Sequence, residues 1–250
     1  WNNNHATFLI MGNICTRNCL FCSVENGQSQ ALDPEEPNKI LQMVEMMKLK
    51  YAVLTSVTRD DLQDGGAAHF ASVIRRLKSS HPELLVEVLI PDFNGRTEDI
   101  DIVLKAGPNI LNHNIETVHS VYPKINRNPD NYQRSLSVLK HARQRGHITK
   151  SGIMVGLGES RDELNGLFDD LLDNGVQLLT IGQYLQPTSR NVPVNRYYTP
   201  EEFEALKASG LARGFVAIEA GPFVRSSYKA EGMYLEAKKR IHSGTKANDN

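Results

Sequence analysis

At 250 residues, with 40% hydrophobic and 23% charged side chains, the chain has the size and composition of one large globular domain or one decorated α/β barrel. Twenty-eight Lys and Arg against 29 Asp and Glu leave a net charge of −1, which argues against a general electrostatic hold on nucleic acid. No apolar run approaches the roughly 18 residues that span a bilayer, and no signal-like segment follows Trp1; a chain opening on Trp is expected to be a trimmed or partial one.

Apolar runs alternate with amphipathic stretches along the whole chain. A strand is predicted over 6–12 and a helix over 37–48, then a strand over 51–57 and a helix over 66–79. The pattern repeats with 84–90 and 98–105, 110–116 and 130–145, 153–156 and 161–174, and 177–185 and 200–212. Thr199 before Pro200, Glu201 and Glu202 is a helix start: a capping hydroxyl, then proline at the first helical position, then acids in the first turn. Six strand-then-helix units imply a parallel sheet with helical crossovers. Six are too few for a closed eight-fold barrel, so the expected fold is α/β, a partial (β/α)6 barrel over 1–214. Residues 215–250 are expected as a C-terminal extension, with a helix near 232–240 and a loose tail over the last ten residues.

Ligands in such folds gather at the carboxyl ends of the strands. All three cysteines, Cys15, Cys19 and Cys22, fall directly after the first strand. Bunched cysteines without an export signal point to metal or redox chemistry rather than to a disulfide framework. Structural zinc wants four ligands, and the fourth would have to be a histidine such as His5, His69 or His113. A [4Fe–4S] cluster can instead be held by three thiolates with one iron left open for an external ligand.

Cys15-Thr16-Arg17-Asn18-Cys19-Leu20-Phe21-Cys22, with its C-x3-C-x-aromatic-C spacing, resembles the signature of radical S-adenosylmethionine (SAM) enzymes. The resemblance implies a partial (β/α)6 barrel of the radical SAM type, a SAM-binding [4Fe–4S] cluster on the three cysteines, and Phe21 beside the adenine. It also implies that Gly65 and Gly66, after the second strand, meet the SAM amino group. Gly152-Ile153-Met154-Val155-Gly156-Leu157-Gly158-Glu159 resembles the adenine-contacting strand of the same family. Strand alternation puts Asn112, Asn114 and Glu116 on one face, a polar load suited to a ribose. Arg127 and Arg134 are both candidates to pair with the SAM carboxylate, with Arg134 ranked first. The SAM cradle is thus expected from Thr55, Asn114, Glu116, Arg134 and Gly156. For Gly65 and Gly66 the bland alternative is a turn into a helix, and for the 112–116 segment a solvated strand end.

Longer stretches, among them 51–66, 90–93, 112–117, 182–188 and 221–228, resemble the lipoyl synthase family of radical SAM enzymes, from Trp1 to about Tyr234. The resemblance implies sulfur insertion at C6 and C8 of an octanoyl-lysine on a carrier protein, of the lipoyl-domain or H-protein type. It implies an electron donor such as ferredoxin or flavodoxin, and an auxiliary [4Fe–4S] cluster that gives up its sulfur. Three cysteines in C-x4-C-x5-C spacing hold that auxiliary cluster in the family, together with a serine matching Ser227 here. This sequence has no such motif; the family's third cysteine is typically followed by Trp, so a cut just before Trp1 is the expectation. Arg127-Asn128-Pro129 also departs from the family's Arg-Pro order. The expectation is a cytoplasmic (or, with a lost transit segment, organellar) monomer without nucleic-acid or membrane partners. The alternatives are a radical SAM enzyme that never had an auxiliary cluster, and a non-enzymatic zinc or iron–sulfur module.

Overall fold

A computed structural model describes residues 4–247, with side chains to residue 240. Trp1, on which the reading of upstream cysteines turns, lies outside the described residues. In chain order the elements are β1 (His5–Ile10), the two-residue strands β2 (Ile14–Cys15) and β3 (Glu25–Asn26), α1 (Glu36–Met46), β4 (Tyr51–Ser56), α2 (Ala67–Ser80), β5 (Leu85–Leu89) and α3 (Thr97–Lys105). They continue with β6 (Ile110–Asn112), α4 (Asp130–Gln144), β7 (Ile148–Val155), α5 (Arg161–Asp173), β8 (Leu178–Gln183), α6 (Pro200–Arg213), β9 (Ala217–Gly221) and α7 (Ala230–Ala247).

Seven strands form one sheet in the order β1-β4-β5-β6-β7-β8-β9. Every neighbouring pair is parallel, and β1 and β9 are its two ends. The six expected β/α units are all present, and β9 adds a seventh strand from within the predicted C-terminal extension. The last helix runs to Ala247, so most of the expected loose tail is helical. Two helix starts are fixed by reciprocal capping boxes, Ser160 with Glu163 on α5 and Thr199 with Glu202 on α6. Each such box satisfies two of the donors that a helix N-terminus otherwise strands.

Alternation sorts the strand side chains between two environments. On β5, Val86 and Val88 pack outward against Phe70, Ile74 and Val103 of the helical layer, while Glu87 and Leu89 face the barrel interior. Phe168, Leu206, Phe215 and Ile218 form the matching layer on the other half. Each such fully buried side chain contributes roughly 1.5–3 kcal/mol. At the amino ends of the strands, α7 closes the barrel by packing Ala230, Met233 and Tyr234 onto Tyr51, Ile110 and Leu178.

Between that plug and the top of the barrel lies a fully buried ion pair. Lys150 Nζ stands 3.0 Å from Glu87 Oε1 with both side chains wholly inaccessible. Tyr51 OH donates to Glu87 Oε2 at 2.7 Å and Asn112 Nδ2 to Oε1 at 2.8 Å. Burial, and then the neighbouring Glu87 charge, hold the Tyr51 phenol protonated far above its ordinary range.

Candidate functional site

The cysteine loop leaves β1 at its carboxyl end and lies over the open top of the barrel. Cys15, Cys19 and Cys22 are free thiols lining one pocket of about 870 Å³, shared with Leu9, Phe21, Thr55, Asn114, Glu116 and Arg127. The backbone N–H of Arg17 approaches Cys15 Sγ at 3.4 Å and that of Val24 approaches Cys22 Sγ at 3.4 Å. Burial pushes the Cys19 thiol up to about 11, with Glu116 and the other two cysteines adding to the rise and Arg127 opposing it. Burial raises Cys22 too, against the pull of backbone N–H groups. Thiols so disposed must lose protons when they bind metal.

No histidine is spare to complete a zinc site from the sequence candidates. His5 Nε2 pairs with Glu231 at 2.7 Å and His69 Nε2 with Glu36 at 2.6 Å. His113 lines the pocket but has both ring nitrogens engaged, Nδ1 with the Ile90 carbonyl at 2.8 Å and Nε2 with Ser135 Oγ at 3.0 Å. Ser56 also lines the pocket, and its buried hydroxyl has no hydrogen-bond partner. Among the described residues no three His, Cys, Asp or Glu side chains are placed to hold a single metal ion, so three thiols around an open pocket with an unpartnered hydroxyl fit a multi-iron cluster with a bound small molecule better than a closed four-ligand metal site.

Beside the thiols stands a second layer of charge that the sequence reading did not single out. Arg17, inside the cysteine motif, makes paired contacts to Asp60 at 2.8 Å and Asp92 at 2.7 Å. Burial works against the Arg17 charge, yet these hydrogen bonds overcome it and hold the guanidinium firmly ionised. Asp92 is likewise opposed by burial and held ionised, well below the usual carboxylate range, chiefly by Arg17. The position of Arg17 between two of the cysteines was a signal that could have flagged it.

Several expected site residues take other places. β6 ends at Asn112, so alternation does not carry on to Glu116; Asn112 stays fully buried against Glu87 beneath the pocket, with Oδ1 unpartnered. Asn114 and Glu116 do reach the pocket. Glu116 adopts φ +72°, and its backbone still bridges to β7, accepting from Met154 N at 2.7 Å. A non-glycine held there is strained, a condition that concentrates at functional sites. Burial raises the Glu116 carboxyl, with Arg127 pulling the other way.

The two candidate arginines stand in different places. Arg134 sits on α4 outside the pocket, 3.6 Å from Asp92 and against Gly95, whereas Arg127 lines the pocket 4.0 Å from Glu116. Left-handed Asn126, at φ +55°, turns the chain so that Arg127 faces in, over the Tyr122 ring at 5.2 Å. Gly65 and Gly66 lie at the start of α2, Gly65 lining a separate hollow with Asp60, Phe93 and Arg96. Gly156 is also outside the thiol pocket, packed against Gln183 and the Arg196 carbonyl. Glu159 braces that turn by accepting from Gly156 N at 2.7 Å and Leu157 N at 2.9 Å.

A smaller hollow of about 350 Å³ adjoins the first and shares Asn114 and Glu116 with it. Gly152, Met154, Thr180, Arg225 and Ser226 are among the other residues of its wall. A Cβ at Gly152 would stand 2.6 Å from Asn114 Oδ1, so only glycine lets Asn114 lie across β7 here. Ser226 Oγ donates to that same Asn114 Oδ1 at 3.1 Å. The Arg-Ser-Ser-Tyr segment therefore reaches the site through Ser226, while Ser227, half-buried, lines neither hollow.

Comparison with known proteins agrees with this geometry. A model of the radical SAM superfamily matches residues 9–171, which sets the class: an enzyme barrel with a cysteine loop at its carboxyl end. Lipoyl synthase of Bacteroides fragilis (strain ATCC 25285) is 51% identical over 231 residues, 92% of this chain and 80% of that protein. Lipoyl synthase of Chlorobaculum tepidum is 50% identical over 233 residues, 92% and 80% of the two chains. The chain belongs to the lipoyl synthase family of radical SAM enzymes. Among solved structures, the FeFe-hydrogenase maturase HydG of Carboxydothermus hydrogenoformans superposes with a TM-score of 0.70 at 17% identity, over 93% of this chain and 56% of the other. Streptococcus suis SuiB bound to S-adenosylmethionine gives 0.65 at 12% identity, over 87% and 50%. These two likenesses speak for the fold alone.

Proposed function

We propose that this chain supplies the radical SAM core for sulfur insertion at C6 and C8 of an octanoyl group held on a lysine of a carrier protein, to give the lipoyl cofactor, and that with only Cys15, Cys19 and Cys22 it cleaves SAM without inserting sulfur unless the auxiliary cluster's cysteines are also supplied. The observation that carries the reading is three free thiols on one loop, ringing a pocket with Asn114, Glu116 and Arg127 at the strands' carboxyl ends. Cys15, Cys19 and Cys22 would hold the [4Fe–4S] cluster. When bound, the cluster and SAM supply the 5′-deoxyadenosyl radical that removes hydrogen from an unactivated C–H. Arg127 offers a cation for the SAM carboxylate, and Asn114 and Glu116 offer partners for polar groups of the nucleoside. Phe21 and Leu9 put apolar surface at the pocket wall. Homolytic abstraction needs no acid–base pair.

The auxiliary cluster, with Ser227 as its serine ligand, the lipoyl-domain or H-protein carrier, the flavodoxin or ferredoxin reductant, the monomeric state and the cytoplasmic site all belong to this proposal. The Ser227 assignment rests on its match to the family's serine; within the site it is Ser226 that bonds Asn114. The test is anaerobic reconstitution with iron and sulfide, then iron counting and SAM cleavage under dithionite. About four irons per chain with release of 5′-deoxyadenosine is expected. One zinc and no iron would refute the radical reading.

A further inference from the structure

The loop after β8, residues 184–198, touches both the cysteine loop and the Gly156 segment that follows β7. At its far end Asn195 N donates to the Gly156 carbonyl at 2.8 Å, and Gln183 Nε2 reaches the Arg196 carbonyl at 3.1 Å. At its near end it lies against the cysteine loop. There the Asn191 side chain uses both of its functional atoms. Its Nδ2 donates to the Leu20 carbonyl at 3.1 Å and to the Cys22 carbonyl at 2.9 Å. Its Oδ1 accepts from Thr188 N at 3.1 Å and Thr188 Oγ1 at 2.7 Å. Val192 N adds a bond to the Leu20 carbonyl at 3.0 Å, and Tyr184 OH holds the Val192 carbonyl at 2.6 Å.

The cysteine loop has little regular structure of its own between Cys15 and Cys22, so its shape is set by what grips its carbonyls. On the opposite side Asn126 Nδ2 donates to the Asn18 carbonyl at 2.7 Å, and Leu20 N donates to the Ile125 carbonyl at 3.0 Å. The loop is thus gripped from both flanks, and only the 184–198 side also reaches Gly156. An amide is the group that can do this: it donates twice on one side while its oxygen is anchored on the other. A carboxylate of the same shape has no donor to offer.

From this geometry we infer that Asn191 is a positioning residue, through which the 184–198 loop straps the cluster-bearing cysteine loop to the Gly156 segment. It touches no reacting atom; it sets where Cys19 and Cys22 stand relative to the end of β7, whose Gly152 and Met154 wall the adjoining hollow. The inference rests on the proposed function only where it calls the cysteine loop cluster-bearing.

Two measurements test it. Asn191→Asp keeps the shape and removes both donors, and Thr188→Val loosens the anchor without touching the cysteine loop. In the iron-free protein, amide hydrogen exchange across residues 18–24 is expected to quicken roughly tenfold in Asn191→Asp, as for losing two hydrogen bonds, and roughly threefold in Thr188→Val. In reconstituted enzyme, the SAM concentration that half-converts the reduced-cluster EPR spectrum is expected to rise by about the same factors. Exchange unchanged within about twofold overturns the strap. Quickened exchange with an unaltered SAM response overturns the positioning role. If Asn191→Asp does not fold, Thr188→Val decides both points. If the parent chain takes up no iron, the radical reading fails, while exchange in the iron-free protein still decides the strap.

Discussion

His113 stands fully buried at the wall of the thiol pocket, its ring spent on Ile90 and Ser135, and this makes the fold acid-sensitive over a definable window. Burial, the largest influence, lowers its pKa from 6.5 to about 4, against smaller opposing pulls from the Ile90 carbonyl and Asp92. The folded value lies below the unfolded one, so the unfolded chain takes up the proton first. Stability from the neutral ring is complete above about pH 6.5, falls as pH drops, and levels off below about pH 4. At about 1.4 kcal/mol for each pH unit, the whole effect is about 3 kcal/mol, and about 2 kcal/mol is gone by pH 5. Urea unfolding of iron-free protein between about pH 7 and pH 5 reads the slope. His113→Gln keeps a polar side chain without a titrating ring, and should be weaker throughout but flatter across this window. Half-buried His147, also lowered by burial, leaves it a smaller slope of the same sign, while Glu116, raised by burial, opposes both. An unchanged slope in His113→Gln would show that the buried imidazole is not what limits the fold in acid.

Three further outcomes are expected. Changing Cys15, Cys19 or Cys22 singly to Ser should drop bound iron well below the parent's about four per chain and abolish 5′-deoxyadenosine release, with far-UV circular dichroism unchanged; full iron in any of the three would remove that cysteine from the ligand set. Arg127→Gln should weaken SAM binding about tenfold or more, as for a lost charge-assisted bond, and Arg134→Gln less than about twofold, measured by equilibrium dialysis on reconstituted enzyme; the reverse order would restore Arg134 to the site. Lys150→Met leaves the Glu87 carboxylate buried without its cation and should cost about 3–5 kcal/mol, seen as a Tm drop of roughly 6–20 °C, with Lys150→Met/Glu87→Leu recovering most of it.

The barrel was legible in the sequence because a parallel strand buried on both faces reads as an unbroken apolar run. YAVL in β4 and LLTIGQ in β8 are buried at every position, and both were found. β9 was not, since only Ile218 of its five residues is buried, too faint a pattern for periodicity. The cysteine loop was plain from spacing alone. What could not be read was the choice between Arg127 and Arg134, because it depends on the left-handed turn at Asn126. Nor could strand alternation show that β6 stops at Asn112, which leaves that side chain in the floor of the pocket. Asn191 carried no sequence signal at all; its role exists only through two loops brought together by the fold.

The buried Lys150–Glu87 pair also limits how this pocket can be remodelled. Any attempt to deepen the cavity for a bulkier or longer chain meets a floor whose charges tolerate neither water-free separation nor loss of one partner. Cutting back Tyr51 or Asn112 removes a donor from Glu87, and trimming beneath them opens onto α7. Room for a different substrate has to be found sideways, at the rim where Leu9 and Val24 are exposed. Evolution or design that altered substrate length in this barrel would therefore leave its record in the loops, while the floor stayed fixed.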